Sequence, residues 1–198
     1  MAIAAVLLDQ RESSRSRDLV RPWLAAARDP SLRFLRPFER TAGDEMEALV
    51  ADPATLTEVI RRALEDRHWW VGIGIGEIEE PVPQSVRESH GSAFSLARAA
   101  IERSKSPRGA GVRVLALDEP LGRVFEDALV VLADLYDRRP PRAREVARLR
   151  RDGLETAAIA ARLGISRQAV TKHLRAARWR EEAAAVRVAG HLAEELLV

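Results

Sequence analysis

The stretch Thr156–Arg175 reads Thr-Ala-Ala-Ile-Ala-Ala-Arg-Leu-Gly-Ile-Ser-Arg-Gln-Ala-Val-Thr-Lys-His-Leu-Arg, and few arrangements of the backbone suit that order of residues. Ile159 and Leu163 lie four apart and share one face of a short helix. Ala160 is small enough to let a second helix cross closely. Gly164 ends the first helix where a left-handed residue is cheap, and Ile165 plugs the turn. Ser166 caps the next helix, whose buried stripe is Val170 and Leu174. The pattern predicts a helix-turn-helix within 156–178. Its outward residues are Ser166, Arg167, Gln168, Thr171, Lys172, Arg175 and, just beyond, Arg178. Side chains of these types contact phosphates and base edges. An ordinary helical hairpin with a basic solvent face is the bland alternative. The Ala–Gly–Ile–Ser–Val register favours DNA binding over it.

The charge distribution points the same way. The formal net charge is only +2, so the whole chain is no polycation. Between Arg138 and Arg180, however, 13 Lys and Arg stand against three acids, Glu145, Asp152 and Glu155. A phosphate-binding face needs that local asymmetry. There are no cysteines, which excludes disulfides, zinc–thiolate sites and cysteine nucleophiles. The apolar run Ala2–Leu8 is too short to span a bilayer and lacks a basic flank, so a cytoplasmic protein is expected. His68, His90, His173 and His191 show no metal spacing.

The rest of the chain divides by periodicity. Ala2–Leu8 reads as a buried strand, and Asp18–Arg28 as a helix through Leu19, Trp23, Leu24 and Ala27. Leu32, Phe34 and Phe38 mark one arm of a hairpin, Thr41–Asp44 its tip, and Met46–Val50 the return. Asp52 and Pro53 start a helix to Arg67; Trp69–Ile75 is a strand, Gly91–Arg103 a helix, and Val112–Leu117 a last strand. From Pro120 onward only helical patterns remain, including one at Ala143–Arg151 and a long one from Trp179. The predicted fold class is α+β. A ferredoxin-like βαββαβ domain over 1–119 precedes an all-α domain over 120–198 that carries the helix-turn-helix.

Asp9 closes the first strand and Asp44 sits in a Gly-Asp pair at the hairpin tip. In such a sheet these carboxylates are neighbours, the arrangement that a Mg²⁺–phosphate site requires. Local turn chemistry accounts equally well for both residues. Gly72, Gly74 and Gly76 alternate along one strand. No phosphate-loop signature accompanies them, so they flatten one strand face for the close approach of a helix or a ligand.

Several short motifs together resemble the SatD family, bacterial proteins named for an acid-tolerance locus. They are Asp9…Ser13, Gly43-Asp-Glu45, Gly72-Ile-Gly-Ile-Gly-Glu-Ile78 and Gly91-Ser-Ala-Phe-Ser-Leu-Ala-Arg-Ala-Ala-Ile101, followed by the C-terminal helix-turn-helix. The same landmarks resemble, more distantly, the class III nucleotidyl cyclase and diguanylate cyclase fold. That resemblance implies two Mg²⁺ and a nucleoside triphosphate held by Asp9 and Asp44. It also places Gly72–Gly76 on the cyclase strand. The chain departs from the catalytic pattern. Ser95 stands where the cyclases have Asn, Ala99 where they have the transition-state Arg, and Arg98 is one residue away, about 100° around a helix. Only Arg40 matches the purine-selecting Lys. Without those donors the charge developing on a phosphoryl group lacks its preorganised stabilisation, so cyclase activity is not expected.

The segment around Gly164 resembles sigma region 4 and LuxR-type helix-turn-helices. That implies base contacts from Arg167, Gln168, Thr171 and Lys172, with Arg175 and Arg178 on phosphates. The expected protein is a DNA-binding transcriptional regulator whose first domain dimerises or senses a nucleotide. Its expected partners are double-stranded DNA and a second copy of itself. The alternatives are a metal-dependent nucleotidyl cyclase fused to a helix-turn-helix, and an adaptor that uses the helix pair for packing.

Overall fold

The apolar run near the start of the chain reads as continuous because both of its faces are buried. A computed structural model describes residues 2–13, 17–106 and 110–198. In it β1 (Ile3–Gln10) is the middle strand of a five-stranded sheet in the order β2-β3-β1-β4-β5. The other strands are β2 (Arg36–Ala42), β3 (Glu45–Val50), β4 (Trp69–Gly76) and β5 (Val112–Ala116). β1 runs antiparallel to both β3 and β4, while β5 lies parallel to β4. A parallel neighbour needs a crossover, and α3 (Ser92–Ser104) supplies it. The remaining helices are α1 (Val20–Ala26), α2 (Pro53–Asp66), α4 (Glu119–Asp137), α5 (Pro141–Arg151), α6 (Thr156–Leu163), α7 (Arg167–Ala176) and α8 (Trp179–Leu196). The chain is therefore α+β, with a mixed sheet and eight α-helices among the described residues.

The pleat sorts β1 between two cores. Ala4, Val6 and Leu8 join Val71, Ile73, Val112 and Val114 beneath α2, α4 and α8. Ala5 and Leu7 point the other way, into a smaller cluster with Ala93, Ala97 and Ile101 of α3. The three β4 glycines explain how α3 comes so near. A Cβ on Gly74 would lie 2.0 Å from the Ala93 carbonyl oxygen and 2.2 Å from the Ala97 nitrogen; one on Gly72 would lie 2.6 Å from the Ile101 nitrogen. Helix backbone fills the flattened face.

The hairpin arm begins later than its aromatic residues suggest. The Arg33 N–H is bonded to the Thr55 hydroxyl at 2.8 Å, and the Leu32 N–H turns back to the Asp29 carbonyl. Those backbone groups are spent outside the ladder, so pairing with β3 starts with the Leu35 N–H on the Leu49 carbonyl and the Arg36–Leu49 pair. The Asp52 cap is as expected, its carboxylate accepting from the Thr55 N–H at 2.8 Å.

α4 and α8 belong to the core under the sheet. Phe125, Leu129, Leu132 and Tyr136 of α4, with Ala189, Ala193 and Leu196 of α8, are buried with the strands. The all-α half is thus split in space. α5, α6 and α7 build their own small core, and α4 and α8 are the two stems that root it in the sheet.

Charges seal the junction. Arg139, whose side chain is fully buried, donates to Glu182 at 2.7 Å and lies 3.7 Å from Glu65. Arg151 bonds both Glu65 and Glu182, and Arg61 donates to Glu65 at 2.8 Å. The Tyr136 hydroxyl donates to Glu182 at 2.9 Å. Burial alone would raise the Glu65 carboxyl. The hydrogen bond from Arg151 and the charges of Arg151 and Arg61 outweigh it and hold the group below its ordinary range. Two Arg139 nitrogens, Nε and Nη1, have no hydrogen-bond acceptor, so every available carboxylate oxygen there matters.

Two expected outcomes follow from this packing. Gly74→Ala should destabilise the chain by about 3 kcal/mol or more, because backbone rather than a flexible side chain must move; urea unfolding measures it. Glu182→Ala should lose about 3–5 kcal/mol by leaving buried guanidinium groups uncompensated, whereas loss of only a few tenths would mean the network is idle.

Candidate nucleic-acid interface

α6 ends at Gly164, whose φ of +62° is the left-handed geometry that glycine adopts freely. The Ile165 N–H then returns to the Ala160 carbonyl at 3.0 Å, and the Ser166 hydroxyl accepts from the Ala169 N–H at 3.1 Å to start α7. Beneath this turn Ile159, Ala160 and Val170 pack on Val146 and Leu149 of α5, with Leu163, Ile165 and Leu174 around them. Val146 and Leu149 belong to the helix that the sequence pattern places at Ala143–Arg151. Arg142 secures the turn from outside by donating to the Leu163 carbonyl at 3.0 Å.

The outer face of α7 is available. Arg167, Gln168, Thr171, Lys172 and Arg175 are exposed, as is Ser166 at the cap. No ion pair or side-chain hydrogen bond within the described residues engages Arg167, Gln168, Lys172 or Arg175. The Thr171 hydroxyl is occupied, bonded to the Arg167 carbonyl at 3.2 Å, and Arg178 pairs with Glu181 at 2.9 Å. Arg178 takes a left-handed φ of 56° between α7 and α8 and makes the sharp corner there. His173 is half-buried at the edge of the helix pair. Three unpaired cations and an amide therefore project from one short helix, with its N-terminus open.

The acids of the expected metal site stand where β1 ends beside the start of β4, close to the Arg67–Asp137 pair. Asp9 faces Glu45 across the β1–β3 ladder, and the Gln10 N–H bonds the Asp44 carbonyl at 3.1 Å. Asp9 and Asp44 do come together, but Asp9 already holds a cation. Lys105 Nζ lies 2.8 Å from it. Burial raises the Asp9 carboxyl, Lys105 works against that, and the charges of Asp44 and Glu45 add to it. Arg98 donates to Glu45 at 2.6 Å, and the Thr41 hydroxyl occupies the other Glu45 oxygen at 2.9 Å. Among the described residues no group of three or more His, Asp or Glu is arranged to hold a metal ion. Asp9 and Glu45 are already paired with side-chain cations, Lys105 and Arg98, so the set does not fit the Mg²⁺ pair that the cyclase resemblance implies. Ser95 is exposed and Ala99 has no polar group to offer.

Glu47 and Lys105 are not singled out by the sequence, and Glu45 and Arg98 enter it only as motif positions, without the ion pair they form. The signal was present: Glu45 and Glu47, two apart on a strand, share the face of Asp9. Glu47 is 6% exposed and opposite Glu39 on β2, and no hydrogen bond within the described residues reaches its carboxyl. Burial pushes that carboxyl up to about 7, with Arg98 opposing and Glu45 adding.

The direction of the pH effect is set by that shift. The folded chain keeps the Glu47 proton from about 4.5 to about 7 while the unfolded chain releases it, so stability falls as pH rises through this window. Glu47→Gln should remove that slope and gain about 3 kcal/mol over the wild type between pH 4 and pH 8 in urea titrations. Parallel curves for the two proteins would mean that Glu47 is ionised throughout.

Among the described residues no helix is long and apolar enough to cross a membrane. No protein-family model matches the chain, and neither does any curated protein or solved structure.

Proposed function

We propose that this chain is a DNA-binding regulator of transcription, a two-part protein of the SatD kind. In this reading α6 and α7 are a helix-turn-helix, and α7 enters the major groove. The observation that carries it is the outer face of α7: Arg167, Gln168, Lys172 and Arg175 are exposed and unpaired together on one short helix that follows a glycine turn and a serine cap. Arg167 suits guanine O6 and N7, and Gln168 suits adenine N6 and N7. Lys172 and Arg175 reach phosphates or bases further along the groove, and Arg178 reaches phosphate once it leaves Glu181.

The strand order β2-β3-β1-β4, antiparallel throughout, supports a ferredoxin-like, cyclase-like plan for the first domain, with β5 added at one edge. The side-chain cations on Asp9 and Glu45 favour a scaffold that is catalytically silent, used for dimerisation or for sensing a nucleotide. Incubation with ATP or GTP and Mg²⁺ should then yield no cyclic product; an Asp44-dependent product would establish the enzyme reading instead.

Selection of genomic fragments by the purified protein should recover a preferred sequence. Affinity for it should fall steeply with salt, through release of counterions from the phosphates. Arg167→Ala with Lys172→Ala should weaken binding by at least about a hundredfold at 100 mM salt in gel shifts, from two contacts worth about 1–3 kcal/mol each. An unchanged affinity would remove α7 from the interface.

A further inference from the structure

α4 and α8 lie side by side and run in opposite directions, and the Tyr136–Glu182 hydrogen bond fixes their relative height. Their inner faces are the core. Their outer faces together present an apolar strip that the chain leaves uncovered. On α4, residues 121, 124, 128, 131 and 135 follow each other at spacings of three and four, as in a coiled-coil seam, and all are apolar. Within the strip Val124 is 52% exposed and Val131 57% exposed, and Val188 on α8 is 53% exposed beside half-buried Leu192. β-branched side chains this exposed at regular spacing on two adjacent helices form a contiguous patch, unlike scattered surface valines.

Unpaired charges flank the strip, and Glu195 lies on the Val188 face of α8. On the α4 side Asp127 is exposed and has no ion-pair partner among the described residues. On the α8 side Arg180 and Arg187 are exposed and equally without one. Rotation about a twofold axis parallel to the helices sets α4 of one copy against α8 of the other. The height given by Tyr136 and Glu182 puts Arg187 level with Val131, within one helical turn of Asp127 on the opposite copy. Each copy then supplies the acid that the other lacks, twice over by symmetry. The face also has adequate size. Two helices of 19 and 18 residues are about 28 Å long, and side by side they offer roughly 600 Å², near the ~800 Å² per partner of a stable interface.

We propose that the α4–α8 face is the interface of a homodimer, a four-helix arrangement of two α4–α8 pairs. This deepens the DNA-binding reading and rests on it in one respect only. α8 follows α7 directly, so a dimer fixed at α8 sets the distance between two α7 helices and hence between two half-sites. Self-association itself stands without DNA.

Sedimentation of the full chain tests it. The wild type should be a dimer at 50 μM, and Val124→Glu with Val131→Glu should be a monomer that keeps its circular dichroism spectrum. Because glutamates can disturb α4 itself, a charge exchange supplies the second measurement. Asp127→Arg should weaken the dimer at least about fivefold, and adding Arg187→Asp should restore it. A monomeric wild type, or an Asp127→Arg loss that Arg187→Asp does not rescue, overturns the proposal. A dimer that binds no DNA would overturn the functional reading and leave the interface standing.

Discussion

Glu182 holds three parts of the chain at once. It accepts from Tyr136 at the end of α4, from Arg139 in the connection to α5, and from Arg151 at the end of α5, while its own helix lies along the sheet core. Glu65 repeats the arrangement from α2, taking Arg151 and Arg61. Ion pairs buried this deeply contribute little net stability, since desolvation cancels most of the attraction. Their effect is on orientation. Any displacement of the α5–α7 unit strands a guanidinium or a carboxylate without water, so the small helical core keeps one attitude on the sheet. The position of α7 relative to α4 and α8 derives from that constraint.

The sheet has a matching constraint on its other face. Gly72, Gly74 and Gly76 let α3 lie directly on β4, and this close seat brings Arg98 and Lys105 over the strand ends where Glu45 and Asp9 stand. A larger residue on β4 would lift α3 and with it both cations. The acids of β1 and β3 would then face solvent or an ion. The identity of the cation on Asp9, an ammonium of the chain itself, is therefore a consequence of three hydrogen atoms on β4.

Legibility differed along the chain for physical reasons. The turn at Gly164–Ser166 and the Asp52 cap depend on contacts within a few residues, and single side chains announce them, while the strands are announced by their apolar runs and glycine alternation. The hairpin arm was placed too early at Leu32 because Thr55, more than twenty residues away, captures the Arg33 N–H. The outward residues of α7 were readable from helical period. That Thr171 and Arg178 are engaged while Arg167, Gln168, Lys172 and Arg175 are not was not readable, because it depends on which neighbours the fold supplies. Glu47 is not legible because its burial depends on distant strands that flank it, with Leu7 of β1 and Glu39 of β2 opposite, on a segment that by itself begins as an alternation of polar and apolar residues.

By itself the sequence determined the elements: a central strand apolar on both faces, a glycine-flattened neighbour, a capped helix pair and a basic final third. Each follows from short-range sterics, hydrogen bonding or periodicity, which act within a few residues. The tertiary structure alone decided three things. It rooted the helical half in the sheet through α4 and α8 rather than leaving it a separate bead. It set Lys105 on Asp9, and among the described residues it left the outer faces of α4 and α8 uncovered. Those outcomes depend on residues tens of positions apart meeting in space, and no local pattern encodes which charge will find which partner.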